Sequence, residues 1–377
     1  MLLISLAVTY LLLVRLLRYR RRDRTTATYR TQPLSSMTLA DAHTIQHDVA
    51  TLEFPTTFSI AVFFALFKTY GIPSVSSLLY RTTQLLSPST ASKRAADTGV
   101  LLTEAVLNPP SSRRASQAID RINALHVPYR KTGVTSDENM LYTLSLFALE
   151  PGRWVEKWEC RALSEVERCA LGVFWRDMGH KLGVKMDEIG EGWEETDGLM
   201  WMEMLERWSK GYEERYMRPA ETNERVARAT VGVALVNVPR WMKRLATQVV
   251  GVLLEEKLRV AVRFDEPGRG IVWLVLVALG VRRLVVRWLC PSRAGWLRVR
   301  WFTEERDRET GRYHALRYVA HPWYVKPSLW LRWGLGAVCL RLFGGFVPGD
   351  GKYHPEGYLI WEVGPKGMKG KGRERYR

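Results

Sequence analysis

Apolar residues along this chain recur mostly three or four positions apart, which is the spacing of amphipathic helices. The segments 136–150 and 164–182 show this most clearly, because each opens with a serine and early acidic residues before its apolar stripe. Further periodic segments lie at 38–51, 58–70, 74–86, 198–217, 223–235 and 239–263. No segment alternates apolar and polar residues over a sustained length, so the pattern predicts an all-α fold.

The N-terminus predicts a membrane anchor. The first fourteen residues, MLLISLAVTYLLLV, are almost wholly apolar, and a basic cluster follows at 18–24. This run is short against the roughly 20 residues that span a bilayer, but no small-residue cleavage site indicates a removed signal peptide. We therefore predict a retained signal anchor over 1–22 and a basic linker over 23–37. The alternative is an apolar helix packed on the folded body.

The charge around the predicted anchor indicates its orientation. Basic residues gather on the C-terminal side of the apolar run, and the positive-inside rule places such residues in the cytosol. The prediction is a single-pass protein whose remaining chain faces the cytosol. A second apolar run at 271–281, flanked by arginines, either touches the membrane surface or forms a buried helix.

Composition is typical of a large globular chain. Its 377 residues include 15 Trp and 46% hydrophobic residues, enough for one large or two modest domains. The net charge of +17 suits nucleic acid or an anionic membrane surface. The anchor, and the lack of aromatic residues interleaved with the basic ones, favour membrane lipids over nucleic acid as a partner. The basic tail 366–377 is predicted to be disordered.

Several common chemistries are not indicated by the sequence. The four cysteines lack C-x-x-C spacing, so neither zinc nor a disulfide framework is predicted, which fits a reducing compartment. No phosphate-binding glycine loop and no nucleophile elbow occur. His43 and His47 have the spacing of a helical metal site, but without an adjacent glutamate they are interpreted as a surface pair.

Two short helical patterns about thirty residues apart carry the candidate chemistry. Arg94 and Thr98 are four residues apart and share a helix face with apolar residues, and His126 falls on an apolar stripe of its own helix, which is expected to end near Pro128. A cation, a hydroxyl and an imidazole directed into apolar surroundings are what a buried cofactor site needs.

Each of these residues also has a structural interpretation. His126 is then a core histidine that bonds a backbone carbonyl. Arg94 forms an ion pair, for example with Asp97, and the Thr98 hydroxyl bonds back to the carbonyl of residue 94. The residue pattern alone leaves both interpretations open.

At these residues the chain resembles the fungal ER-bound oxygenases of the mpaB type, which share a helical haem-b catalytic domain with the bacterial rubber oxygenases. The resemblance covers roughly residues 38–365. It rests on the order and spacing of the pieces 120–129 (DRINALHVPY), 139–147 (NMLYTLSLF), 151–154, 175–179 and 357–365. It implies a single large helical catalytic domain over 38–365 behind the anchor, at the endoplasmic reticulum membrane.

The resemblance also implies roles for particular residues. The matching histidine of the rubber oxygenases is the proximal haem ligand, which falls here on His126. Their arginine and threonine near the distal side fall on Arg94 and Thr98. Tyr129 and Arg130 follow the histidine closely and are expected to support the cofactor pocket.

The chain departs from the rubber oxygenases at two points. Asp97 stands where they have a lysine before the threonine, and a carboxylate does not match that lysine's role as an iron ligand. No equivalent of their glutamate base is found. Their dioxygenase mechanism on polyisoprene is therefore not directly transferable.

The resemblance thus implies a haem-b-dependent oxygenase in secondary metabolism. It would use dioxygen to oxidise or oxidatively cleave a lipophilic, isoprenoid-type substrate. The alternative is a membrane-tethered scaffold that has kept the oxygenase fold and lost the cofactor.

Overall fold

The computed structural model of the protein describes residues 1–82, 84–133 and 135–370. Within them the regular elements are helices, joined by turns and three isolated β-bridges. This confirms the predicted all-α class behind an N-terminal apolar helix. The helices are α1 Leu2–Arg18, α2 Arg20–Thr28, α3 Leu39–Asp48, α4 Pro55–Thr69, α5 Pro73–Arg81, α6 Ala91–Leu107, α7 Arg113–Lys131, α8 Asp137–Trp158, α9 Glu165–Lys181, α10 Gly198–Tyr216, α11 Glu221–Ala234, α12 Lys243–Leu253, α13 Glu256–Ala261, α14 Arg269–Leu289, α15 Leu329–Trp333 and α16 Leu335–Leu342.

The chain folds as two compact units, each built from three separate stretches. The first unit holds α1–α4, α8–α10 and α14, and the second holds α5–α7, α11–α13, α15 and α16. The stretches of the first are Met1–Thr69, Asp137–Tyr216 and Arg269–Val299, and those of the second are Tyr70–Ser136, Met217–Gly268 and Arg300–Arg377. The boundaries at residues 22, 37 and 365 stay a prediction.

The first unit is organised around α4 and α8, which pack along their lengths. Phe64 of α4 stacks on Trp154 of α8 with ring centres 4.6 Å apart. Beside these rings, the buried Lys68 ammonium lies 3.3 Å from Glu150 Oε1 and 3.1 Å from Glu213 Oε1. A buried cation of this kind is tolerated only when carboxylates surround it.

The capping signals of the sequence position the next helix pair. Ser164 and Glu167 form the predicted capping box at the start of α9. α9 and α10 then approach so closely that a Cβ added to Gly172 would lie 1.9 Å from the carbonyl oxygen of Gly198. Glycine is required there because any side chain would overlap the backbone of the neighbouring helix.

The second unit contains the α6–α7 pair and an irregular C-terminal segment. The fully buried Asn223 of α11 connects two of the three stretches, because its Nδ2 lies within hydrogen-bond distance of the carbonyl oxygens of Gly71 at 3.2 Å, Arg218 at 2.9 Å and Ala261 at 3.0 Å. The C-terminal segment pairs locally through an antiparallel bridge between Tyr313 and Tyr358.

Two prolines lie inside helices. α7 was expected to end near Pro128 but continues to Lys131, and α8 runs through Pro151 to Trp158, well beyond the predicted end at 150. A proline removes one backbone hydrogen bond but has a helical φ, so packing on neighbouring helices can carry a helix past it. The sequence rule that proline ends a helix failed at both positions for this reason.

Most apolar side chains of the N-terminal helix α1 are exposed, as expected of a membrane anchor. Among the described residues, one helical stretch, Leu2–Thr28, is long and apolar enough by itself to cross a membrane. The pair Leu39–Glu53 and Pro55–Thr69 meets this criterion only together, bends by 109° and has many buried side chains. α2 extends into the predicted linker, and the predicted tail lies outside the described residues from 371 onward.

The second apolar run forms α14, a longer helix than the segment 271–281. Its side chains are mostly exposed, and Val275 is its one buried residue among those described. The alternative of a buried helix is therefore wrong, because the neighbouring helices cover only a narrow stripe of α14.

Two glycines in helix interiors test the close packing of the first unit. Gly172→Ala should destabilise the protein by about 2 kcal/mol or more, because a new methyl group must displace backbone. Gly211→Ala in α10 is the matched control, since nothing lies within 4 Å of its added Cβ. The control should be neutral or stabilising by up to about 1 kcal/mol through helix propensity. Thermal unfolding of both variants measures the difference, and equal midpoints would contradict the described contact.

Candidate functional site

The candidate site lies in the second unit, on α6 and α7. The Arg94 guanidinium donates to Thr98 Oγ1, and Thr98 Oγ1 donates in turn to the carbonyl oxygen of Arg94 at 2.9 Å. Both side chains are half-buried on one face of α6, as their spacing predicts. The back-bonding alternative for Thr98 is thus present together with the side-chain pair, because one hydroxyl accepts and donates at once.

His126 is held in one orientation by its own helix. Its Nδ1 lies 2.8 Å from the carbonyl oxygen of Ile122, one turn earlier, so that Nδ1 carries the proton in this contact. Nε2 makes no hydrogen bond to any described residue. The imidazole therefore combines a carbonyl-bonded nitrogen with an available lone pair, the arrangement in which histidine serves as a metal ligand.

The surroundings keep His126 neutral. Burial lowers the pKa of His126, and the positive charges of Arg94 and Arg130 lower it further, against an opposing contribution from the Ile122 carbonyl. A neutral imidazole is the form that can ligate iron. The charge of Arg94 on α6 thus acts on His126 of α7. A shared site for these residues stays a prediction.

Sequence reasoning missed Tyr70, which follows α4. This tyrosine is buried, burial raises its pKa, and the positive charge of Arg94 acts in the opposite direction. Arg94 thus influences both Tyr70 and His126, which are 56 positions apart in the sequence. No local motif marks Tyr70, because its link to the site arises only from the packing of the helices.

The other two predicted site residues, Tyr129 and Arg130, are closer to the protein surface. The Tyr129 side chain is 39% exposed, and Arg130 is half-buried. Arg130 contributes positive charge to His126. The predicted supporting role of Tyr129 stays a prediction.

Asp97, the main departure from the rubber oxygenases, has a structural partner set. It is buried, and its carboxylate accepts from Tyr324 Oη at 2.6 Å, Lys93 Nζ at 2.6 Å and the Gly364 amide at 3.1 Å. The sequence left open an ion pair between Asp97 and Arg94. In the structure the ion pair of Asp97 is with Lys93. Asp97 thus fastens the C-terminal segment to α6.

A second buried carboxylate, Glu104, lies on the same helix. It accepts from the Arg114 guanidinium, from the Tyr358 hydroxyl and from Asn108 Nδ2 at 2.7 Å. Burial, the Glu104 charge and this hydrogen bond raise the pKa of Tyr358. With its oxygens occupied by four donors, Glu104 holds structure together rather than serving as a free base.

The donor set at α6 and α7 fits a haem. A porphyrin supplies four nitrogen ligands to its iron, so the single histidine nitrogen of His126 is sufficient from the protein. Arg94 and Arg130 place positive charge beside it, which suits the haem carboxylates. Among the described residues, no group of three or more His, Cys, Asp or Glu side chains is arranged to hold a metal ion. Two cavities of about 230 and 420 Å³ in this unit are lined by other residues, between 237 and 340.

His43 and His47 correct an expectation from the sequence. They stack with ring centres 5.7 Å apart, but His43 is buried, so they are not a surface pair. Burial, together with the charge of Arg298, lowers the pKa of His47 to about 4. Arg298 Nη1 lies 2.8 Å from His47 Nδ1, which gives this histidine a structural role in the first unit.

Comparison with known proteins places the chain among oxygenases. Residues 81–320 match the family model described as ER-bound oxygenase mpaB/B'/Rubber oxygenase, catalytic domain. The chain is 37% identical over 380 residues to the ER-bound oxygenase mpaB' of Penicillium brevicompactum, covering 99% of this chain and 89% of that protein. It is 34% identical over 373 residues to the ER-bound oxygenase mpaB of the same organism, covering 97% and 86%. The mpaB protein of Penicillium roqueforti is 38% identical over 269 residues, which are 70% of this chain and 90% of that protein.

The contacts of Asp97 predict a stability effect. Asp97→Ala should destabilise the protein by about 3 kcal/mol, because it leaves buried donors without their acceptor. Asp137→Ala is the control, since it removes an exposed ion pair with Lys185 and should cost at most about 1 kcal/mol. Hydrogen exchange should show faster exchange of the Gly364 amide in Asp97→Ala alone. Unchanged exchange there would contradict the fastening role.

Proposed function

The chain belongs to the family of ER-bound oxygenases of the mpaB type and rubber oxygenases, and from this premise we propose that it is a membrane-anchored, haem-b-dependent oxygenase. The family makes it an oxidoreductase that acts on a small molecule with dioxygen. The proposed substrate is lipophilic and of the isoprenoid type, and its double bond is oxidised or oxidatively cleaved. Secondary metabolism is the proposed setting, as the resemblance to the mpaB type implies.

The geometry of His126 carries this proposal. Its Nδ1 is bonded to the Ile122 carbonyl, and burial lowers its pKa, so a neutral Nε2 lone pair is directed away from the helix backbone. In the proposal, His126 ligates the haem iron and Arg130 pairs with a haem carboxylate. Arg94 either pairs with a haem carboxylate too or donates to oxygen atoms in the site. Bound haem supplies redox-active iron for chemistry with dioxygen.

Arg94 and Thr98 of α6 supply the other polar groups of the proposed site. Arg94 is permanently charged, and its hydrogen bond to Thr98 fixes both side chains. In the proposal the Arg94 guanidinium is the donor to oxygen atoms in the site, because the single hydroxyl hydrogen of Thr98 is already donated to the carbonyl oxygen of Arg94. Such preorganised donors stabilise developing negative charge without having to reorient during the reaction.

The proposed location is the endoplasmic reticulum membrane, with a single pass and the catalytic region facing the cytosol. The relatives are named ER-bound, and α1 is an exposed apolar helix followed by a basic cluster. A lipophilic substrate partitions into the bilayer, so attachment raises its local concentration at the enzyme. Membrane lipids are thus proposed partners, and nucleic acid is not.

Removal of the proposed iron ligand is the direct test. The wild-type protein, purified at full length in detergent, should show a Soret absorption band, and His126→Ala should lose it. His180→Ala is the control, because this exposed histidine stacks on Trp193 in the first unit and should leave the band unchanged. Circular dichroism checks that both variants keep their helices. An unchanged Soret band in His126→Ala would contradict the assignment, and a folded wild-type protein without haem would favour the scaffold alternative.

The charge of Arg94 predicts a pH effect. Because Arg94 lowers the pKa of His126, Arg94→Gln should raise it toward its ordinary value. Acid protonates the imidazole and removes the lone pair, so Arg94→Gln should release haem at a higher pH than wild type. Arg130→Gln should shift this pH in the same direction by a smaller amount. An acid titration of the Soret band measures both, and no shift in Arg94→Gln would contradict the proposed proximity.

A further inference from the structure

The C-terminal end of α14 is fastened to the apolar helix α1 within the first unit. Tyr10 Oη donates to the carbonyl oxygen of Leu289 at 2.7 Å, and the Arg15 guanidinium carbon lies 5.4 Å from the centre of the Trp288 ring. The Leu289 carbonyl is among those that a helix end leaves without an internal partner, so Tyr10 satisfies it. These contacts hold the end of α14 beside the middle of α1.

Two further contacts give the direction of α14 relative to α1. Arg18 donates to Cys160 Sγ at 3.1 Å, and Arg282 Nη2 donates to Glu159 Oε1 at 2.7 Å. Because Glu159 and Cys160 are neighbours, Arg282 of α14 lies beside Arg18 of α1 along the helix axes. Leu289 of α14 lies beside Tyr10 of α1. The residue numbers thus rise along one helix as they fall along the other, so the two helices are antiparallel.

This arrangement limits how much of α1 can enter a membrane alone. Only residues 2–9 lie beyond the level of Tyr10, and at about 1.5 Å per residue they span about 12 Å. The hydrocarbon core of a bilayer is about 30 Å thick. An anchor that enters the bilayer as far as its basic end must therefore carry the adjoining surface of α14 with it.

The surface of α14 at this level combines exposed apolar residues with an arginine. Leu284, Val285, Trp288 and Leu289 are exposed by 58%, 40%, 46% and 48%, and the half-buried Arg287 lies 5.7 Å from the centre of the Trp288 ring. Tryptophan is favoured at the membrane–water boundary, and arginine can reach from there to lipid head groups. Arg15 lies over the Trp288 ring in this way, which places a cation at the level of the aromatic residue.

We propose that the C-terminal part of α14, residues 284–290, is a second membrane-immersed element, which enters the lipid bilayer beside α1. Lipid is proposed to cover these exposed apolar residues, because they adjoin the exposed apolar surface of the anchor α1. This inference rests on the membrane anchor of the proposed function and goes beyond it. It makes α1 and the end of α14 a two-point attachment that fixes the orientation of the first unit on the membrane.

A native cysteine allows a direct test. Cys290 follows Leu289 and is half-buried, Cys160 and Cys169 are buried, and Cys339 is exposed. Full-length Cys339→Ser protein is labelled with bimane at Cys290. It is then reconstituted into vesicles of phosphatidylcholine and phosphatidylserine with brominated acyl chains, since bromine quenches bimane only on close approach. The expected result is a loss of fluorescence relative to unbrominated vesicles.

Two reporters in a Cys290→Ser, Cys339→Ser background separate the possible outcomes. Leu6→Cys reports on the anchor, and Lys185→Cys, on an exposed turn of the same unit, should keep its fluorescence. Quenching at Leu6→Cys without quenching at Cys290 would overturn the second contact and leave the anchor intact. No quenching at either position would overturn the anchor and this inference together. Protection of Cys290 from a hydrophilic maleimide without quenching would indicate a protein partner and also overturn it.

Discussion

Two buried carboxylates on α6 must be hydrogen-bonded, and the packing of the second unit depends on the groups that donate to them. Asp97 and Glu104 are seven residues apart and share one stripe of this helix, and each is almost fully buried. A buried charge is stable only when it is paired and hydrogen-bonded. The C-terminal segment supplies one donor to each, with Tyr324 on Asp97 and Tyr358 on Glu104, and α6 and α7 supply others through Lys93 and Arg114. Arg94 lies on a neighbouring stripe with Thr98.

α6 thus has two stripes of polar residues with different roles. One stripe, which includes the aspartate that departs from the rubber oxygenases, holds the fold together, and the other carries Arg94 and Thr98. In the proposed function this second stripe and His126 of α7 form the site, and the Nδ1 of His126 bonds to the Ile122 carbonyl. The Nε2 of His126 then ligates haem, and α1 keeps the site near lipophilic substrate.

The sequence predicted much of this because the signals are local. The helix pattern, the capping box at Ser164 and the shared face of Arg94 and Thr98 all depend on residues within a few positions of one another. The distant partner of Asp97 could not be predicted, since Tyr324 is 227 positions away. Tyr70 and the exposure of α14 were beyond reach for the same reason, because packing between distant segments decides them. The proposed role of His126 rests on the family resemblance, since a core histidine has the same local pattern.

The central claim is that this chain holds haem through His126. The most direct measurement is the absorption spectrum of the full-length wild-type protein, purified in detergent, before and after reduction with dithionite. The account predicts a Soret band at about one haem per chain that shifts on reduction, because a single histidine ligand leaves the iron redox-active. Fully folded protein that shows no Soret band, after expression with an adequate haem supply, would contradict it.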